Sequence, residues 1–243
     1  MEIEVRQISK TFQKHTVLED INLTLESGQI FCLLGASGSG KTTLLRIIMG
    51  VIAADSGEVR IGGQKVPDRK LLSNIGFMPQ NDALYEDLSA WDNLKFFAGI
   101  QRLDKKQFNK NAEAILTVVD LTDDRHKLIR NFSGGMKKRL SLGAALIHNP
   151  SVLLLDEPTV GIDPVLRKNI WNYLKQLKEK GTTIVVTTHV MDEVTECGNA
   201  ALLRNGRVIA SDKVVNLISR TPNGRIEELF FMDDALDKEE TQC

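Results

Sequence analysis

Gly35-Ala36-Ser37-Gly38-Ser39-Gly40-Lys41-Thr42 fits the spacing G-x-x-x-x-G-K-[ST]. Glycines at this spacing let the backbone fold tightly, so successive N–H groups point inward at phosphate oxygens. The residues that follow, Thr43-Leu44-Leu45-Arg46-Ile47-Ile48, read as a helix whose N-terminus adds partial positive charge. Lys41 then reaches the β- and γ-phosphates of a nucleoside triphosphate, the Thr42 hydroxyl can ligate Mg²⁺, and Thr43 can bond the α-phosphate. Far along the chain, Val152-Leu153-Leu154-Leu155 ends in two acids. Asp156 suits a Mg²⁺ ion, directly or through water, and Glu157 suits orienting or deprotonating an attacking water. His189 follows a β-rich run, Thr183 to Thr188, where it could bond a γ-phosphate and position Glu157. Gln80 ends the run Ile75 to Pro79 and could meet Mg²⁺ or the attacking water.

These residues need a scaffold that brings them to one edge. Ile30-Phe31-Cys32-Leu33-Leu34 and Val152-Leu153-Leu154-Leu155 are continuous apolar runs, the pattern of strands buried on both faces of a sheet. In open α/β sheets, ligands bind at the carboxyl ends of such strands. Ile3-Glu4-Val5-Arg6 and Leu23-Thr24-Leu25 alternate and predict short strands, with a turn at Ser27-Gly28. From about Ser89 to Pro150 the texture becomes helical, with Ser89 as an N-cap and apolar residues at helical spacing over Phe108 to Val119. Asp163-Pro164 opens another helix, capped by Asp and started by Pro, which Gly181 can end. Asn205-Gly206 between two apolar runs is a hairpin signal. The expected architecture is an α/β core over 2–80 and 151–220 with a helical insertion at 81–150, and an acidic C-terminal tail over 231–243 that is frayed from Asp233 on.

Composition narrows the function classes. Of 243 residues, 42% are hydrophobic and 26% charged, values ordinary for a globular chain with a sizeable core. A net charge of -1 disfavours nucleic acid as the main partner, because a phosphate-neutralising surface is usually basic. Cys32, Cys197 and Cys243 have no metal-type spacing and fit a reducing compartment. Acids stand at the N-terminus where a signal peptide has bases, and no run approaches the roughly 18 apolar residues needed to span a bilayer. Work on a membrane therefore requires a partner that crosses it.

Phe132-Ser133-Gly134-Gly135-Met136-Lys137-Lys138-Arg139 adds the segment that ties these pieces together. The chain resembles the nucleotide-binding domain of ATP-binding cassette (ABC) transporters over about residues 2–230, with the motifs in family order. The resemblance implies a P-loop NTPase fold, a RecA-like core sheet with an antiparallel β subdomain and an inserted α-helical subdomain. It implies ATP and Mg²⁺ as ligands and a head-to-tail pair of cassettes, homodimeric or heterodimeric. Each ATP is then shared between the phosphate loop of one cassette and Ser133, Gly134 and Gly135 of the other. It further places Phe12 as the aromatic that stacks on adenine and Asp163 at the communication between cassettes. A plain helix-cap role for Asp163 is equally compatible with its position. A multi-span membrane permease is the implied partner, with this chain at the cytoplasmic face of the membrane.

Phe132 and Met136 replace the usual Leu and Gln of the family segment, but the serine and both glycines are kept. Met136 followed by three basic residues is similar to the drug, antibiotic, lipid and polysaccharide exporters of the type-2 class. The residues also leave other classes to weigh. A DNA- or ribosome-directed ABC ATPase would bring a long heptad run or a second phosphate loop, and neither is present in the sequence. Ser133-Gly134-Gly135 and His189 argue against a P-loop kinase, while a nucleotide-dependent regulatory sensor stays open.

Overall fold

The computed structural model describes residues 1–232. The acidic tail expected over 231–243 therefore lies, from residue 233 on, outside the described residues. Strands β1 (Ile3–Phe12) and β2 (His15–Leu25) form a long antiparallel pair, followed by β3 (Ile30–Leu34) and α1 (Lys41–Met49). Next come β4 (Ser56–Ile61), β5 (Gln64–Lys65), the short α2 (Arg69–Leu72) and β6 (Ile75–Met78). Three helices then intervene, α3 (Ala90–Ile100), α4 (Lys105–Val118) and α5 (Gly134–Leu146). The chain continues with β7 (Val152–Asp156), α6 (Pro164–Glu179), β8 (Thr183–Thr188) and the single turn α7 (Met191–Val194). Then come β9 (Asn199–Arg204), β10 (Arg207–Lys213) and α8 (Val214–Ser219), followed by a 3-10 turn at Ile226–Glu228.

Two sheets result. A four-stranded sheet has the order β2-β1-β4-β5, and a six-stranded sheet has the order β10-β9-β3-β8-β7-β6. In the larger sheet β9, β3, β8, β7 and β6 pair in parallel, and β10 closes one edge antiparallel to β9. Asn205-Gly206 supplies the positive φ angles that turn the β9–β10 hairpin, as their sequence predicts.

The apolar runs are explained by what covers them. Cys32, Leu34, Leu153, Leu155, Ile184 and Val186 face the helices α3 to α6, whereas Phe31, Leu33, Val152, Leu154 and Val185 face α1 and the antiparallel sheet. Strands β3, β7 and β8 are thus buried along their whole length, with no polar face to show.

β1 and β2 are much longer than the alternation of Ile3–Arg6 and Leu23–Leu25 predicts. Register shifts between Val5 and Ile8, and again towards Thr11, break the period of two. Gln7 and Asp20 take positive φ at these irregularities, and Gln7 N donates to Asn22 Oδ1 at 2.8 Å. Polar residues at bulges hid strands that the backbone continues.

The second half of helix α5, from Leu140 to Leu146, is largely buried, and Gly143 lies where a Cβ would come 2.9 Å from Ile115 Cγ2 of α4. At the head of α3, Ser89 Oγ accepts from Asp92 N, the cap expected from sequence. Asn93, fully buried, ties the loop before this helix: its Oδ1 accepts from Tyr85 N at 2.9 Å, and its Nδ2 donates to the carbonyls of Tyr85 and Ser89. This loop runs on from Gln80. Asn93→Ala is expected to lower unfolding free energy by about 1–3 kcal/mol, because the Tyr85 N–H loses its acceptor and the carbonyls of Tyr85 and Ser89 keep only their backbone donors; urea denaturation measures it, and an unchanged midpoint would contradict the account.

Candidate active site

Register brings the sequence-predicted groups to one edge. Leu34 pairs with Thr188, Asp156 with Thr187, and Met78 with Leu155. The segments that leave the carboxyl ends of β3, β8, β7 and β6 carry, respectively, the phosphate loop, His189, Asp156-Glu157 and Gln80.

The phosphate loop wraps from β3 into α1. Ser39 N donates to Ala36 O, and Gly40 caps α1 with φ 106°. A Cβ at Gly40 would lie 2.8 Å from Val17 O, and one at Gly35 would lie 2.4 Å from Leu203 O, so close packing as well as turning requires glycine here. Lys41 is 5% exposed, and its Nζ donates to Gly35 O at 2.7 Å and Ala36 O at 2.9 Å. Burial pushes its ammonium pKa down, and the nearby carboxylates of Glu157 and Asp156 push it back up.

Glu157 is held from two sides. His189 Nδ1 lies 2.9 Å from Glu157 Oε1, and Gln80 Nε2 donates to Glu157 Oε2 at 3.3 Å. With a carboxylate as its neighbour, Nδ1 of His189 is assigned the proton, which leaves Nε2 as an acceptor. Glu157 itself sits at φ 53°, a left-handed conformation unusual for a residue with a Cβ. Its backbone N–H is bonded to both the carbonyl and the hydroxyl of Thr187, each at 3.1 Å, which secures that conformation.

A cleft of about 290 Å³ lies between the phosphate loop and these groups, lined by Lys41, Thr42, Thr43, Gln80 and Glu157 among others. Val17 of β2 also lines it, a contact that sequence reasoning missed. Thr187 was missed as well: its Oγ1 donates to Asp156 Oδ1 at 2.6 Å. In the sequence it reads only as a strand threonine, and nothing local separates that from a ligand-positioning role.

Other sequence-predicted residues stand outside this cleft. Phe12 closes β1 and is 43% exposed, with Lys10 Nζ 5.2 Å from its ring centroid. Ser133 caps α5, its Oγ accepting from Met136 N, and the backbone at Gly135 lies against Gly161. Asp163 caps α6, its Oδ1 accepting from Val165 N and Leu166 N at 3.1 and 3.0 Å. The helix-cap reading of Asp163 is thus what the contacts within one chain display.

The family model described as ABC transporter matches residues 18–160, more than half the chain. The chain belongs to the ABC transporter family, as an ATPase cassette. It is 40% identical over 230 residues to ABC transporter G family member 20 of Dictyostelium discoideum, covering 94% of this chain and 32% of that one. A second Dictyostelium relative, G family member 23, is likewise covered over 33% of its length, so the chain spans about a third of these two proteins. It is 38% identical to the linearmycin resistance ATP-binding protein LnrL of Bacillus subtilis (strain 168), covering 93% of this chain and 74% of LnrL. Among solved structures, the dimeric bacterial ABC transporter cassette MJ0796 superposes with a TM-score of 0.81 at 28% identity, over 87% of this cassette and 98% of that chain. The P-loop NTPase fold expected from sequence is therefore the fold of this cassette.

Thr187→Val should lower the stability of the cassette by about 1–3 kcal/mol, because the buried Asp156 carboxylate loses its hydroxyl donor. Chemical denaturation of the two forms checks this, with an equal midpoint as the contrary result.

Proposed function

We propose that this cassette hydrolyses ATP in a site completed by a second cassette and thereby drives export through a separate membrane permease. The observation that carries the reading is Glu157, clamped between Gln80 and His189 beside the phosphate loop. In this reading the loop from Gly35 to Thr43 binds the phosphate tail through backbone N–H groups, and Phe12 stacks on adenine. Lys41 leaves the carbonyls of Gly35 and Ala36 for the β- and γ-phosphates, exchanging two neutral acceptors for charged ones.

Water attacks the γ-phosphorus in line with the bond to the bridging oxygen. That bond breaks, its electron pair stays with ADP, and Glu157 takes a proton from the water. His189 holds Glu157 in place through Nδ1–H, while Lys41 stabilises the charge that develops on the departing oxygens. The residues present also fit Mg²⁺. Asp156 is 1% exposed and its Oδ2 has no hydrogen-bond partner among the described residues. Asp156, with Thr42 and Gln80, would hold the ion, which when bound neutralises phosphate charge.

Ser133, Gly134 and Gly135 open α5 outside the cleft of their own chain. They serve the γ-phosphate of a neighbouring cassette, with the N-terminus of α5 facing the anion. Asp163, on the loop beside them, contacts the second cassette in this arrangement. The helices between 81 and 150 form the inserted unit that meets the permease. A groove of about 420 Å³ lies there, lined by Phe77, Pro79, Leu84, Phe97 and Ile100 among others. Tyr85 and Phe96 stand beside it, 48% and 40% exposed, with ring centroids 4.5 Å apart. Exposed aromatic rings next to an apolar groove suit a short permease helix, and Gln80 lies one residue from Pro79. No helix among the described residues is long and apolar enough to cross a membrane. Export follows the role named for relatives such as the Nod factor export ATP-binding protein I of Cupriavidus metallidurans, 36% identical to this chain over 219 residues. The cytoplasmic face of the membrane is the corresponding location.

Glu157→Gln should cut phosphate release by about a hundredfold or more while ATP still binds. Light scattering of that variant at saturating ATP should show a dimer. Release at the wild-type rate would remove Glu157 from its role. Lys41→Ala should raise the ATP dissociation constant by about ten- to a hundredfold, the loss expected for a charged hydrogen-bond donor; undiminished affinity in calorimetry would count against the loop assignment.

A further inference from the structure

Glu193 is a buried carboxylate that the hydrolytic scheme leaves without a task. It sits on α7, four residues after His189, and is 2% exposed. Its two oxygens are taken by different segments, the loop after β7 and the end of β8. Thr159 Oγ1 donates to Glu193 Oε1, and Thr188 Oγ1 donates to Glu193 Oε2 at 2.7 Å. Thr159 follows Glu157 by two residues and begins the turn that leads to Gly161 and Asp163. Thr188 directly precedes His189, and its hydroxyl also accepts from Val190 N at 3.0 Å.

Arg167 stands at the far end of the same turn. Its Nη2 donates to Ile162 O at 3.2 Å, and its Nε lies 3.9 Å from Glu193 Oε1. One anion therefore joins the start of the Asp163 loop to the residue before His189, and one cation joins the end of that loop back to the same anion. Desolvating a carboxylate is costly, and an apolar side chain of similar size would fill the space without that cost. What the carboxylate adds is direction, because two charge-assisted hydrogen bonds fix the Thr159 loop relative to the end of β8.

We propose that Glu193 is a positioning residue that couples the Asp163 loop to His189, so that a displacement of the loop is felt at the His189–Glu157 contact. This rests on the proposed roles of Asp163 at the second cassette and of His189 at Glu157. Closure of the second cassette on the Asp163 loop then sets His189 through Thr159, Glu193 and Thr188, with no contact between the second cassette and His189 required.

The test uses the full chain and two independent readouts. In ¹⁵N spectra of the His189 ring, Thr159→Val should shift the ring resonances, although Thr159 bonds Glu193 and not His189. In a Glu193→Gln background the same substitution should add little further shift. In turnover assays, Glu193→Gln and Thr188→Val should lower kcat by about ten- to a hundredfold with the KM for ATP changed less than about threefold, the pattern of misplaced catalytic geometry. Thermal melts of each variant separate this from unfolding. A ring spectrum indifferent to Thr159→Val overturns the coupling, as does a kcat that falls only in proportion to lost folded protein. Absence of ATP turnover by the wild-type chain would count against the hydrolytic reading, while the ring spectra would still decide the coupling.

Discussion

Strand register is the constraint on which the catalytic edge depends. Asp156 stands opposite Thr187, and Leu34 stands opposite Thr188, so Glu157 and His189 leave neighbouring strands at the same level. A slip of two residues between β7 and β8 would part them by about 6–7 Å, and a slip of one would send every side chain of the strand to the opposite face. Both faces of β7 and β8 are buried, against the helices on one side and against α1 and the antiparallel sheet on the other. Apolar packing on both faces thus fixes the spacing of polar groups that never touch it.

Those polar groups impose their own order. Lys41, Asp156, Glu157 and Glu193 are all buried, and a buried charge without partners costs several kcal/mol. The fold answers with threonines on two of the carboxylates, Thr187 on Asp156 and Thr159 and Thr188 on Glu193, and with Gln80 and His189 on Glu157. Lys41 is held by loop carbonyls, which are weaker acceptors than a phosphate. Ser39 Oγ and Asp156 Oδ2 have no hydrogen-bond partner among the described residues, and both belong to segments bordering the cleft. The site is closely hydrogen-bonded where it holds the carboxylates and leaves polar atoms unpartnered in the segments bordering the cleft.

The two outward faces of the cassette connect to this edge through short covalent paths. Gln80 touches Glu157 and lies next to Pro79 of the apolar groove, so whatever moves the groove moves a ligand of the carboxylate. On another side, the start of α5 rests against Gly161, in the loop that Glu193 and Arg167 brace. In the proposed function, nucleotide chemistry and partner contact therefore share backbone segments only a few residues long.

Much of this was legible along the chain. The phosphate loop, the acids ending β7, His189 and the caps at Ser89 and Asp163 depend on residue type and short spacing, and local chemistry dictates both. The lengths of β1 and β2 were not legible, because bulges at Gln7 and Asp20 erase the alternation that marks a strand. Nor were Thr159, Thr187, Thr188 and Glu193 as partners, since a hydroxyl aimed at a carboxylate has the same sequence as one facing solvent. Residue order by itself determined which groups could carry phosphate chemistry. Only the packed sheet decided that Gln80 and His189, 109 positions apart, meet on the same carboxylate, because that proximity comes from the register of parallel strands and not from anything encoded near either residue.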